Sequence, residues 1–284
     1  MSRDSATLPG VYEIRPMTAR EFSCIRKLAF ETCGIDLADS KKDMVASRLD
    51  RTLRRLSLSS YDDYYLHVRE DSSGAALQEF IDALTTNHTN FLREAEHFAL
   101  LRNRFGRISF PGRPIRIWSA ACSTGEEPYS IAMTLLDQRR HEVVPGFQIL
   151  ATDISSRALS AARAAVYPLD KLRELPPPWL SEFFESGSGR WAGWMKVKRA
   201  VRDTIQFQRF NLLDSAPELG TFDVIFCRNV MLYFGRGTQE GIVSRMTERL
   251  NPGGFLLTGH TESLMGIRHD LGYVRPAVYQ KRSS

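Results

Sequence analysis

The stretch from Ile115 to Met133, IRIWSAACSTGEEPYSIAM, passes from an apolar run through a small-residue loop into a helix that opens on two glutamates. Strand, tight loop and helix in that order form the first unit of an open α/β sheet, and the loop then lies at the carboxyl edge, where such sheets bind ligands. The charge of this turn narrows what it can hold. Dinucleotide turns present bare glycines and a helix N-terminus to a pyrophosphate. Here a single Gly125 stands between Thr124 and Glu126-Glu127, so an ammonium or sulfonium group suits the turn better than a phosphate. The same residues also read as a plain helix start: Ser123 with Glu126, or Thr124 with Glu127, has capping-box spacing, and Pro128 is tolerated in a first helical turn.

With 284 residues, 43% of them hydrophobic, the chain can bury one large core and a smaller one, and two domains are expected. The first residues, MSRDSATLPG, carry no apolar leader, and no run approaches the ~18 apolar residues of a membrane span; a cytoplasmic protein is expected. Cys24, Cys33, Cys122 and Cys227 show no C-x-x-C spacing and sit in apolar surroundings, which favours reduced, buried thiols over disulfides or a zinc site. No metal is expected. The net charge of +5 permits nucleic acid or an acidic protein surface as partner without choosing between them.

From Thr18 to Thr86 the pattern is helical. Phe22, Ile25, Ala29 and Cys33 form one face ahead of a stop at Gly34, and Leu77, Phe80, Ile81 and Leu84 form another. Between them, Ser40 with Asp43 opens a helix in which Val45, Leu49, Leu53 and Leu56 recur at helical spacing, while Arg48, Arg51 and Arg55 recur on a different face. The period changes after Arg107. A turn at Phe110–Pro114 precedes the first strand, and apolar runs follow at 147–151, 205–210, 222–227 and 254–258, with helices at 155–165 and 238–250. That alternation predicts a mostly parallel, doubly wound sheet. Asn251-Pro252-Gly253-Gly254 reads as the turn between the last helix and a strand, and 273–281 as a closing hairpin. The segment 166–201, with Pro176-Pro177-Pro178, Gly187, Gly189, Gly193 and an alternating Met195-Val197 run, breaks this rhythm and reads as a small β-insert.

Asp153 ends the second strand, where one carboxylate can accept both ribose hydroxyls; it also reads as a cap for the helix near Ser155. Asp153 and the Glu126-Glu127 turn, on adjacent strand ends, together outline a nucleoside with a cationic tail. S-adenosylmethionine has that shape. Two more segments stand out, the polar run 85–94 (TTNHTNFLRE) and FCRNVMLYF at 226–234.

In order along the chain, ALTTNHTNFLRE, WSAACSTGEEPYSIA, ATDIS, FNLLD, FCRNVMLYF and GGFLLTGHTES resemble the motifs of the chemotaxis receptor methyltransferases (CheR), from Met17 to Gln280. The resemblance implies an all-α N-terminal domain (12–86), a linker and helix contributing to the cofactor site (87–113), and a Rossmann-like methyltransferase domain (114–284) with a β-subdomain inserted at 176–201. It implies methyl transfer from S-adenosylmethionine to glutamates of methyl-accepting chemoreceptors, with S-adenosylhomocysteine as product. Asn87, Thr89 and Arg93 would lie against the cofactor, Glu127 at its charged part and Asp153 at the ribose. Asn211 and Leu212 would lie beside the adenine, Arg228 and Asn229 would complete the pocket, and Arg93 and Tyr233 would be the catalytic pair.

A carboxylate with a pKa near ~4.3 is already ionised at neutral pH, so its attack on a sulfonium methyl needs alignment more than a base. The receptor segments that the family methylates are acidic helices, and Arg48, Arg51, Arg54 and Arg55 would face them. In some members the β-subdomain also binds the receptor's C-terminal tail by strand addition, and the Gly187, Gly189 and Gly193 spacing with Lys196-Val197-Lys198 resembles that form, with a lysine at 196 where arginine is expected. A nucleic-acid methyltransferase is the rival, but no stacking platform for bases is evident and no nucleic-acid partner is expected.

Overall fold

Apolar residues at helical spacing in the first third of the chain, and at strand spacing afterwards, separate two units, residues 1–85 and 86–284. The computed structural model describes residues 14–105, 113–140, 146–215 and 219–283. The N-terminal residues before Ile14 and most of the turn at Phe110–Pro114 lie outside them.

The first unit holds α1 (Ala19–Cys33), α2 (Lys42–Leu56), α3 (Tyr61–Glu70) and α4 (Ala75–Leu84). Phe22, Ile25, Ala29 and Cys33 are buried as the period requires, and Gly34 ends α1 in the left-handed region (φ 71°). Thr18 and Glu21 form a capping box on α1. Glu21 also accepts the backbone N–H groups of Tyr61 (3.1 Å) and Asp62 (3.2 Å), so one carboxylate caps α1 and joins it to the start of α3. The expected start of α2 differs. A single 3-10 turn, Asp39–Lys41, leads into it, Lys41 is its N-cap, and no side chain caps it.

The second unit begins with α5 (Ala95–Leu100), which runs into a π-helical turn over Leu101–Phe105. It continues through β1 (Ile115–Ala120), α6 (Glu126–Gln138), β2 (Phe147–Asp153), α7 (Ser156–Ala164), β3 (Val166–Pro168), α8 (Pro177–Phe183), β4 (Phe184–Ser186) and β5 (Trp194–Val197). It closes with α9 (Arg199–Arg202), β6 (Ile205–Arg209), β7 (Phe222–Cys227), α10 (Arg236–Arg249), β8 (Leu250–Thr258), β9 (Leu271–Arg275) and β10 (Val278–Lys281).

Seven strands form one sheet in the order β6-β2-β1-β7-β8-β10-β9. The first five run parallel, and β10 lies antiparallel to both β8 and β9. Every residue of β7 is buried, as a central strand covered on both faces must be. The strand alternation divides the core in two. Ile117, Ile149, Val224 and Phe226 pack with Tyr129 and Ile131 of α6 on one face; Trp118, Leu150, Ile225 and Cys227 join a cluster with Ile242, Val243 and Met246 of α10 on the other. The strand order reverses between β1 and β7, which makes their carboxyl ends the crevice where ligands bind in such sheets.

Asn251-Pro252-Gly253-Gly254 is not a separate turn but the irregular start of β8, where the register against β7 shifts. Gly254 is required there, because a Cβ would lie 2.8 Å from the Asn251 carbonyl oxygen and 3.1 Å from that of Asp223. The closing hairpin is present as β9 and β10.

The insert forms a three-stranded antiparallel sheet, β3-β5-β4, whose first strand lies ahead of Pro176. Its Tyr167, Phe184 and Val197 share the core of the large sheet's α6 face. Tyr167 stacks edge-on against Phe91 (4.9 Å) and donates its hydroxyl to the Thr124 carbonyl (2.7 Å), so the insert buttresses the loop after β1.

At the amino edge of the sheet, buried Asp223 accepts from Arg113 Nη1 (2.8 Å) and Nη2 (2.7 Å), from the Arg116 N–H (2.9 Å) and from Asn251 Nδ2 (2.7 Å). Burial alone would raise this carboxyl, but Arg113 and the neighbouring donors hold it below the usual range. Asp223→Ala leaves the Arg116 and Asn251 donors without this acceptor, and we expect a loss of about 2 kcal/mol in urea unfolding at neutral pH. Because the folded-state value is the lower one, the stabilisation is present above the ordinary carboxylate range and disappears as pH falls through the folded value. The difference between wild type and variant should narrow on acidification; a constant difference would contradict this.

Candidate cofactor and catalytic site

Strand β1 ends in a loop whose backbone enters the left-handed region at Ala121 (φ 64°), Ser123 (φ 50°) and Gly125 (φ 96°). Gly125 serves close packing as well as conformation, since a Cβ there would lie 2.9 Å from both Ala162 Cβ and Tyr167 Oη. It is the N-cap of α6, without a side-chain cap. The capping-box reading of Ser123–Glu126 and Thr124–Glu127 is therefore corrected. Buried Glu126 instead accepts from Thr124 Oγ1 (2.6 Å) and from Lys171 Nζ (2.7 Å) beyond β3. Asp153 does not cap α7 either; Ser155 does, through the Ala158 N–H (3.0 Å). The Asp153 carboxylate accepts the Ser123 N–H (2.7 Å) and the Ser155 N–H (2.9 Å), fixing the loop to the end of β2. Beside it, Ser123 Oγ is buried without a hydrogen-bond partner among the described residues.

Across the switch point Arg228, 5% exposed, leaves β7 and reaches two carboxylates. Nη1 donates to Glu127 Oε2 (3.1 Å), and Nη2 lies 3.0 Å from Glu94 Oε2 and donates to the Arg93 carbonyl. Ser119 of β1 donates to the other oxygen of Glu127 (2.7 Å). Burial raises the Glu127 carboxyl, an effect that Arg228 and Ser119 oppose. Burial works the same way on Glu94, yet Arg228 and the neighbouring donors prevail and hold it low. With both carboxylates ionised, the triad carries a net charge of −1.

Asn229 follows in the left-handed region (φ 58°), donating Nδ2 to Glu94 Oε1 (3.3 Å) and its N–H to Glu262 Oε2 (2.6 Å). Glu262 also accepts the Gly259 N–H (2.7 Å), and a Cβ at Gly259 would lie 2.6 Å from both Asn229 Nδ2 and Glu262 Oε2. Glu94, Ser119 and Glu262 received no role from sequence reasoning. Glu94 and Glu262 are nonetheless carboxylates within two of the family-like motifs, ALTTNHTNFLRE and GGFLLTGHTES.

The remaining expected residues are placed more loosely. Arg93 is tied to Arg228 by its backbone, while its own Nη1 donates to the His88 carbonyl (3.2 Å). Asn87, Thr89 and Tyr233 are half-buried, Tyr233 in a single 3-10 turn after β7. No hydrogen bond joins these three to the triad among the described residues. Asn211 turns its Oδ1 to the Leu213 N–H (3.1 Å), and buried Leu212 gives its carbonyl to Arg245.

On α2 the four arginines separate: Arg48 donates to the Leu84 carbonyl and Arg55 pairs with Glu79, whereas Arg51 and Arg54 are exposed. In the insert, Gly189 (φ 57°) and Gly193 (φ 82°) need left-handed backbone, and Gly187 has no room for a Cβ against the Trp191 carbonyl. Lys196 lies exposed on the central strand β5, opposite Val166 and Glu185. Cys33, Cys122 and Cys227 are buried and their thiols pushed up by burial; Cys24 is partly exposed, and all four are free.

An all-α unit ahead of a doubly wound sheet, with an acidic turn at the switch point and an aspartate at the end of the next strand, defines the class of S-adenosylmethionine-binding methyltransferases. Comparison with known proteins makes the assignment specific. The model of the CheR methyltransferase SAM-binding domain matches residues 87–279, and that of the CheR methyltransferase all-alpha domain matches residues 20–85. Chemotaxis protein methyltransferase 2 of Pseudomonas aeruginosa is 42% identical over 263 residues, covering 92% of this chain and 93% of that protein. The chemotaxis protein methyltransferases of Salmonella typhimurium (40% over 264 residues, 91% and 88%) and Escherichia coli (42% over 260 residues, 91% and 89%) are similarly related. The chain belongs to the CheR methyltransferase family.

Proposed function

We propose that this methyltransferase acts in the cytoplasm, esterifying glutamate side chains on the acidic helices of chemoreceptors and releasing S-adenosylhomocysteine. The observation that carries the reading is the Glu94–Arg228–Glu127 triad at the switch point, whose net negative charge favours a sulfonium and an ammonium over a phosphate. The unpartnered Ser123 Oγ beside Asp153 fits a ligand with hydroxyl groups, such as a ribose. No described helix is long and apolar enough to cross a membrane.

Bound S-adenosylmethionine supplies an electrophilic methyl carbon on a positively charged sulfur. Asp153 would hold the ribose, Asn211 and Leu212 the adenine, and Asn87, Thr89 and Arg93 the methionine end. Glu127 would face the positive charge, with Arg228 and Asn229 shaping the wall. Arg93 and Tyr233 would align the incoming carboxylate, which is ionised at neutral pH and needs positioning rather than a strong base. Too tight a pairing with Arg93 would blunt the nucleophile, so its contact is one of orientation.

With labelled methyl donor, receptor cytoplasmic fragments should acquire an alkali-labile methyl ester and RNA should acquire no label. Arg93→Ala and Tyr233→Phe should each lower turnover at saturating donor by roughly a hundredfold. A base-stable product on RNA, or near-normal turnover in both variants, would overturn the reading.

Two surfaces would select the receptor. Arg51 and Arg54, exposed one helical turn apart on α2, would steer the acidic helix, with Arg48 and Arg55 holding α2 against α4. The insert would take the receptor's C-terminal tail as an added strand, with Gly187, Gly189 and Gly193 shaping the hairpin and Lys196 supplying charge. One assay with tailed and tailless receptor fragments separates them. Reversing Arg51 and Arg54 to Glu should raise KM and its salt dependence for both substrates, whereas Lys196→Glu should raise KM for the tailed one alone. Unchanged values would remove the corresponding surface.

A further inference from the structure

Sharing Glu94 with the triad, α5 and the loop after β8 bring two imidazoles together with its carboxylate. The nearest ligand atoms of Glu94, His97 and His260 all lie within 4.8 Å of one another. His97 Nδ1 is 3.5 Å from Glu94 Oε2, and His260 Nε2 is 4.0 Å from the same oxygen. The two rings meet edge to face at 5.1 Å. His97 is 1% exposed, and neither of its ring nitrogens has a hydrogen-bond partner among the described residues.

A buried polar group left unpaired is destabilising, because it has given up its water without gaining a partner. His97 carries two such atoms beside a carboxylate, which is an expensive arrangement for a residue that only fills space. The exposed Glu96 carboxylate lies 3.8 Å from His260 Nε2. Two arginines border the cluster, Arg228 on Glu94 and Arg275, which donates to the Glu96 carbonyl (3.0 Å). The carboxylates of Glu94, Glu96 and Glu127 outnumber them.

We infer that Glu94, His97 and His260 form a three-ligand site for a divalent transition-metal ion of the zinc type, open on the side of Glu96. Two imidazoles and one carboxylate with an open position are an established donor set for such ions. Bonds of about 2.0–2.2 Å in tetrahedral geometry need donor atoms roughly 3.3–3.5 Å apart. The His97–Glu94 separation already meets this. His260, 42% exposed on its loop, would close the remaining distance by a side-chain rotation. The ion would draw Glu94 Oε2 from Arg228 and thus bear on the triad. The site itself does not depend on the methyl-transfer reading, and it revises the expectation that no metal takes part.

The test is metal binding by the full chain, freed of metal with a chelator and titrated with zinc in a calorimeter and with cobalt(II) in a spectrophotometer. One equivalent should bind, cobalt should show tetrahedral ligand-field bands without thiolate charge transfer, and zinc should raise the thermal midpoint. His260→Ala, on an exposed loop, should keep its far-ultraviolet circular dichroism while losing affinity by roughly tenfold or more, and His97→Gln should behave likewise. The absence of saturable binding, a thiolate band placing the ion at a cysteine, or wild-type affinity in His260→Ala would each overturn the inference.

Discussion

The second unit depends on one buried guanidinium held between two carboxylates. Arg228 leaves β7, Glu127 opens α6 and Glu94 precedes α5, so their ion pairs link three segments that the chain keeps far apart. Breaking such a buried arrangement would leave charge without compensation, which typically costs about 3–5 kcal/mol. Keeping it fixes both the shape and the sign of the crevice. Ser119 and Asn229 hold the outer oxygens of the two carboxylates, and Glu262 holds the strained backbone at Asn229.

The neighbouring loop is supported from a different direction. Asp153 anchors it from β2, and Tyr167 and Lys171 anchor it from the insert and the turn that follows β3. A segment that reads as an interruption of the α/β rhythm is thus built into the carboxyl edge of the sheet. Its Tyr167 touches Phe91 as well, just ahead of Arg93, so the polar junction and the loop after β1 rest on one aromatic side chain.

Local signals in the sequence translated well into structure. The apolar run of β7, the helical faces around Ile25 and Leu49 and the stop at Gly34 are all set by burial of neighbouring residues, and the local pattern reports that directly. Ion pairs between distant segments were less legible. Glu126 looked like a cap because its spacing from Ser123 was right, yet its partner Lys171 lies beyond α7. The four arginines of α2 looked like one ridge, but α4 claims Arg48 and Arg55. Glu94 and Glu262 acquire their partners only when the sheet reverses at β1 and β7, and no local pattern encodes that meeting. His97 is the extreme case, a histidine on an apolar helix face whose unusual surroundings are visible only in three dimensions.

The central claim is that the negative charge at the switch point recognises the positive sulfur of the methyl donor. It is tested most directly by calorimetric titration of wild type and Glu127→Gln with S-adenosylmethionine and with S-adenosylhomocysteine, which differ at sulfur by one charge and one methyl group. The account predicts that the substitution weakens the charged donor by on the order of tenfold more than the neutral product. Equal losses for the two would show that Glu127 serves the shape of the crevice and not the recognition of charge.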